Sequence, residues 1–201
     1  MVGSRLNSLG SLTLAVQNSP KPTSCFPRNW PTFAMRAVAA SIFVTVTAVI
    51  ASTAHKTFPI LLGVFWIIDG ILALSSAVHS TSPEERSELL VFAGIVSIAL
   101  GMSLPILLDT KSLSLVAAIA GWGLATGLLL AAAVLNIDVP EVRSYFGASA
   151  AVSLLLGLVI AYSEPSDAIV IKWILAHAVA QSYLMGTLAG KLKLENERSR
   201  D

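Results

Sequence analysis

From about residue 33 to residue 188 the chain alternates long apolar runs with short polar connections. Six runs stand out, at about 33–52, 58–77, 89–108, 113–135, 144–162 and 168–188. Each is close to the roughly 20 residues that a helix needs to cross a hydrocarbon core about 30 Å thick. Inside lipid the backbone must satisfy its own hydrogen bonds, so such runs predict helices. They are continuous rather than alternating apolar and polar, which excludes the strands of a β-barrel. The pattern therefore predicts an all-α, polytopic membrane protein with six transmembrane helices.

The connections at 53–57, 109–112 and 163–167 are very short, whereas 78–88 and 136–143 are longer and more charged. Short connections predict antiparallel partners, so the helices are expected as three sequential hairpins: first with second, third with fourth, fifth with sixth. Within 78–88, Ser82, Pro83, Glu84 and Glu85 read as a helix start, with a capping hydroxyl, a proline at the first position and acids in the first turn. Residues 1–29 differ from the rest. Ser, Asn, Pro and basic residues dominate, and 6–16 is interrupted by Asn7, Ser8, Gly10 and Ser11. That stretch lacks the apolar core and cleavage site of a signal peptide, and 1–29 reads as a mobile N-terminal tail. The transmembrane domain spans 30–193, and 194–201 is a charged C-terminal tail.

Composition strengthens the membrane reading. The chain has 201 residues, 55% hydrophobic and 12% charged, with a mean hydropathy of +0.76; soluble domains carry about 25% charged residues. A net charge of +1 offers no basic surface for nucleic acid. The single cysteine, Cys25, excludes an intrachain disulfide. Orientation follows from the basic residues of the connections. Arg5, Lys21, Arg28, Arg86, Arg143, Lys191, Lys193, Arg198 and Arg200 fall on one side, and Lys56 and Lys111 on the other. This imbalance places the N and C termini in the cytoplasm. Trp30 and Trp173 fall near the expected interfaces, where indole is favoured.

A shift of 56 residues superposes the three hairpins without gaps. Ser41, Ser97 and Ser153 coincide, as do Leu72, Leu128 and Leu184, and Trp66 falls on Trp122. With two helices per unit all three hairpins point the same way, so the repeats are parallel about an axis near the membrane normal rather than inverted. Small residues mark faces for helix packing: Gly94, Ser97 and Gly101 in the third run, Gly123 and Gly127 in the fourth, Gly186 and Gly190 in the sixth. Such residues let backbones approach closely in lipid. Contacts within the chain are their first expected use, and a homo-oligomer or another membrane protein the second. The lipid bilayer itself is the expected partner of the whole domain.

These features together resemble the HdeD-like family of bacterial membrane proteins. The residues that carry the resemblance are Arg36 in the first helix (MRAVAASIF), the W-x-x-D-G of Trp66, Asp69 and Gly70 in the second, the G-x-x-S-x-x-x-G of Gly94, Ser97 and Gly101 in the third, and the GWGLATG that starts at Gly121 in the fourth. The third repeat departs from this pattern, with Ala178 at the Trp position and Gln181 at the Asp position. The resemblance covers about 30–193. It implies six helices in three hairpins, a bacterial inner-membrane location and a role in acid or envelope stress resistance, with no assigned catalysis.

Asp69 is the residue most in need of explanation. It is the one charged residue of the second run, and a carboxylate mid-span costs roughly 2.5–3.5 kcal/mol on insertion scales. Arg36 lies nearer the cytoplasmic side by about 9 Å, six residues at 1.5 Å each. It either pairs with Asp69 or snorkels to the headgroups. A proton or ion path that uses Asp69 as its titrating group is the alternative. His177 lies mid-span in the sixth run with Gln181 one turn away. If the repeats close about an axis, Asp69, His177 and Gln181 share one polar locus with Arg36 at its edge. Lys172 is explained by snorkelling. His55, His79 and His177 lack the close spacing of metal ligands. GxSxG and GxxxxGK[ST] are absent. The expected protein is therefore non-enzymatic, with no cofactor and no metal.

Overall fold

The computed structural model describes residues 29–50, 57–78, 88–109, 114–137, 139–163 and 166–198. The mobile tail expected at 1–29, apart from Asn29, lies outside them. So do Cys25, His55, Lys56, His79, the helix start read at 82–85, and Lys111. All described secondary structure is helical: α1 Trp30–Ile50, α2 Phe58–Val78, α3 Glu88–Asp109, α4 Leu115–Val134, α5 Pro140–Ser163 and α6 Asp167–Arg198. All six are long and apolar enough to cross a membrane. The chain is accordingly a multi-pass membrane protein.

Helix ends differ from the hydropathy boundaries for local reasons. Helix α1 begins at Trp30, because Pro31 fits a first turn whose N–H groups have no intrahelical partner. Helix α5 starts at Pro140 with Glu141 behind it, proline and acid again suiting the first turn. At α4 the Ser114 hydroxyl accepts the Ala117 N–H at 3.1 Å, a side-chain N-cap. Helix α6 runs ten residues past the end of its apolar run, to Arg198. Hydropathy falls there, but KLKLENER has neither glycine nor proline and is rich in good helix formers. The expected charged tail is therefore helical through Arg198. The Lys193–Glu197 pair along it, at 3.9 Å and half-exposed on both sides, adds only tenths of a kcal/mol.

The helices form a closed ring. Each packs on its neighbours in sequence, and α6 returns to pack on α1. The contacts within the ring are of two strengths. The most extensive are α2 with α3, α4 with α5, and α6 with α1; the hairpin partners α1 with α2, α3 with α4 and α5 with α6 meet more sparingly. The three hairpins expected from the short connections are thus present as sequential neighbours, but the tightest seams lie between hairpins rather than within them.

Small residues explain which seams are tight. A methyl group added to Gly70 would lie 2.6 Å from the Gly94 carbonyl oxygen, and one on Gly94 would lie 2.9 Å from the Gly70 carbonyl. The same reciprocity joins Gly63 and Gly101, at 2.7 and 2.6 Å. Only hydrogen fits between these antiparallel backbones. Pro105, one turn beyond Gly101, has no N–H to offer the Gly101 carbonyl, and that oxygen is the one a Gly63 methyl would meet. On the next tight seam Gly123 faces the Ser153 carbonyl and Gly157, and Gly127 faces the Leu154 backbone. The α6–α1 seam uses serine: the Ser182 hydroxyl donates to the Ala37 carbonyl at 2.9 Å and lies 2.7 Å from the Ser41 hydroxyl. Gly186 and Gly190 make no comparably close seam within the chain. A methyl on Gly190 would meet nothing within 4 Å, and one on Gly186 only the Ala37 methyl at 3.6 Å. Both glycines look outward.

Two apolar layers fill the ring. One, toward the short connections, gathers Phe43, Phe58, Leu62, Trp66, Leu104, Ile119, Ile160 and Ile174. The other, toward the chain ends, gathers Phe33, Leu90, Leu130, Val142, Phe146, Leu188 and Leu192. On α2 to α6 a polar side chain stands between residues of the two layers, as Asp69 does between Trp66 and Ala77; on α1, Arg36 stands beside Ala37 of the chain-end layer.

Gly70→Ala and Gly101→Ala are expected to lower stability in detergent by about 1–3 kcal/mol each, the cost of overpacking. Gly190→Ala, at an open position, leaves it unchanged or raises it by up to about 1 kcal/mol. Equilibrium unfolding of the three variants by one protocol checks both halves; equal losses at all three would refute the seam assignment.

Candidate functional site

The polar groups between the two apolar layers, with Arg36 and Ser149 from the level of the chain-end layer, line one cavity of about 40 Å³. Every helix contributes. Arg36 comes from α1, Asp69 and Ser76 from α2, Ser97 from α3, Trp122 and Thr126 from α4, Ser149 and Ser153 from α5, and His177 and Gln181 from α6. All four residues singled out in the sequence, Arg36, Asp69, His177 and Gln181, are on its wall. Ser97 is there too, placed as a polar lining group rather than only as a packing residue. Gly94, Gly101, Gly123 and Gly127 lie on the seams behind it.

Arg36 and Asp69 form a two-point ion pair. Arg36 Nε donates to Asp69 Oδ1 at 2.9 Å, and a terminal guanidinium nitrogen donates to Oδ2 at 3.1 Å. The side chains are 11% and 23% exposed, so each charge is largely withdrawn from solvent and neutralised by the other. The planar fork of Arg matches both carboxylate oxygens, which Lys cannot do. Of the two expectations for Arg36, the pair is the one found.

Gln181 is held differently. Its Oε1 accepts from the Ser149 hydroxyl at 2.7 Å, and its Nε2 donates to the Ser149 carbonyl at 3.3 Å and to the Ser153 hydroxyl at 3.4 Å. On the third side Trp122 Nε1 donates to the Ser97 hydroxyl at 3.3 Å. Trp122 also stacks on Trp66, centroids 5.0 Å apart and planes 19° from parallel, and meets the edge of His177 at 5.4 Å. His177 is 5% exposed, and its Nδ1 has no hydrogen-bond partner among the described residues.

These bridges have a common placement. Arg36–Asp69 joins α1 to α2, Trp122–Ser97 joins α3 to α4, and Gln181–Ser149/Ser153 joins α5 to α6. Each sparing hairpin contact therefore carries one polar clasp, while the extensive seams rely on small residues. Trp122, Ser149 and Ser153 were not foreseen as clasp residues. The coincidence of Ser97 with Ser153 under the 56-residue shift was the available signal for two of the hydroxyls. Nothing in the sequence distinguished Ser149 from an ordinary helix serine.

Among the described residues no group of three His, Cys, Asp or Glu side chains is placed to hold a metal ion. Lys172 is exposed. Comparison of the chain with protein-family models, with curated proteins and with solved structures finds no match.

Removing one member of the Arg36–Asp69 pair leaves the other charge buried. Asp69→Ala is expected to destabilise the protein by about 3–5 kcal/mol, whereas the charge-free double variant Arg36→Met/Asp69→Leu stays near wild type. A double-mutant cycle read by unfolding in micelles tests this. A double variant as unstable as the single one would show that the charges themselves are needed.

Proposed function

We propose that this chain is a non-enzymatic integral membrane protein of the HdeD-like type, acting as an assembled helical ring in acid or envelope stress resistance. The observation that carries the reading is the state of Asp69. Its two carboxylate oxygens are both engaged by Arg36, in a polar layer with apolar side chains on either side along the ring axis. A carboxylate so held contributes to fixing α1 on α2. The ordered set of Arg36, Trp66, Asp69, Gly70, Gly94, Ser97 and Gly101 supports the family reading. The parallel 56-residue repeat is supported by two regularities: extensive seams at α2–α3, α4–α5 and α6–α1, and clasps within each hairpin. The proposed location is the bacterial inner membrane with both termini in the cytoplasm, as the distribution of basic residues favours.

A small proton-coupled transporter or channel is the second reading. It draws on the partial exposure of Asp69 and on its sharing a cavity wall with His177. Survival and internal pH after acid challenge separate the two. Under the structural reading the deletion strain is sensitive, and Arg36→Met/Asp69→Leu, expressed at wild-type level, restores resistance. Failure of that variant with normal expression and folding would favour the transport reading. Sidedness has its own check: a membrane-impermeant maleimide is expected to leave Cys25, the only thiol, unlabelled in intact cells and to label it after lysis.

A further inference from the structure

We propose that the cavity between the two apolar layers is a buried water site, holding between one and about three ordered molecules, one of them hydrogen-bonded to His177. Four observations lead there. The first is His177 itself, nearly fully buried, with Nδ1 lacking a partner among the described residues. A ring nitrogen left unpaired in an apolar surround is unfavourable, and no side chain of the wall relieves it. The second is room. A water needs roughly 10–15 Å³ of such space, and the cavity has about 40 Å³.

The third is hydrogen-bonding capacity. A buried water takes about two to four polar partners. Ser97 and Ser153 each accept a bond, from Trp122 and Gln181, and a hydroxyl that accepts still has its own proton to donate. With His177 Nδ1 they supply three contacts from α3, α5 and α6. The fourth is charge, which selects the ligand. The charged groups on the wall are Arg36 and Asp69, and they cancel each other at 2.9 and 3.1 Å. The other polar wall groups are neutral hydroxyls, an indole, an amide and an imidazole. A cation would have to sit beside the guanidinium and an anion beside the carboxylate. A small neutral molecule that both donates and accepts suits the wall, and water is the one of matching size.

His177 also forms part of the wall of an outer groove between α5 and α6, beside Val152, Leu156 and Trp173. The ring is thus a partition between the polar interior and the lipid-facing surface, and the apolar layers flank the cavity along the axis.

The test uses the full chain in micelles with 13C-labelled histidine. Carbon-bound imidazole protons do not exchange with solvent, so cross-relaxation from water reports proximity. His177→Phe assigns the resonance against those of His55 and His79. The expected result is a water contact at His177 with the sign of a long-lived complex. That contact is at least halved in Ala73→Val, which adds apolar volume to the same cavity, and in Ser153→Val, which removes a partner. Wild-type protein showing no water contact at His177 would overturn the proposal. So would a contact of undiminished intensity in a folded Ala73→Val variant, since that water would come from the outer groove.

Discussion

Lipid tails are as apolar as leucine, so the hydrophobic effect does not drive one membrane helix onto another. Everything that holds this ring together follows from that constraint. Two alternatives remain, very close backbone approach and polar contact; the chain uses the first at α2–α3 and α4–α5, the second within each hairpin, and small serines that serve both at α6–α1. Glycine and serine bring α2 to α3, α4 to α5 and α6 to α1. Ion pair, indole and carboxamide clasps hold α1 to α2, α3 to α4 and α5 to α6. The division is sensible in physical terms. Helices joined by a short connection are already held near each other by the chain, and a single directional bridge fixes their register. Helices of different hairpins depend more on contact area, which small residues supply.

The polar interior is a by-product of the same arrangement. The three clasps all face inward and line one cavity. Trp66 and Trp122 stack there, and at the equivalent place in the third hairpin stands the small Ala178. His177 occupies the neighbouring position and presents its ring to Trp122 edge-on. The centre is therefore asymmetric, with two stacked indoles from α2 and α4 and a small alanine beside an imidazole on α6.

Much of the fold was legible because the bilayer simplifies the code. Runs of about 20 apolar residues are long enough to mark all six spans, and the short polar connections fix their order. The α6 extension was missed because hydropathy reports lipid contact, whereas Lys191 to Arg198 combine good helix propensity with the anchoring of Leu192 in the chain-end layer. The seams were harder. Gly186 and Gly190 have the familiar four-residue spacing, yet their face is turned outward. Gly63 with Gly70 and Gly94 with Gly101, seven apart, make the closest antiparallel contact of α2 on α3. Spacing gives a face, and only the partner decides which face is used. At the site, Arg36 and Asp69 were readable as a pair because buried charge demands one. The anchoring of Gln181 was not, because serines are common in such helices and most bond back to their own turn, as Ser144 does to Glu141 and Ser163 to Val159.

Closure of the ring by α6 on α1 has a consequence for biosynthesis. Of the six helices, the two that share this seam are made first and last. Until α6 is made, the face of α1 that carries Ala37 and Ser41 has only lipid or a chaperone against it, while α2–α3 and α4–α5 can already be joined. Assembly therefore has a natural order, with two internal seams formed as the chain is inserted and the long-range contacts of α6 on α1, among them Ala37 with Ser182 and Trp30 with Lys193, formed last. A chain stopped before α6 would remain an open arc, with its polar interior facing the bilayer through the gap.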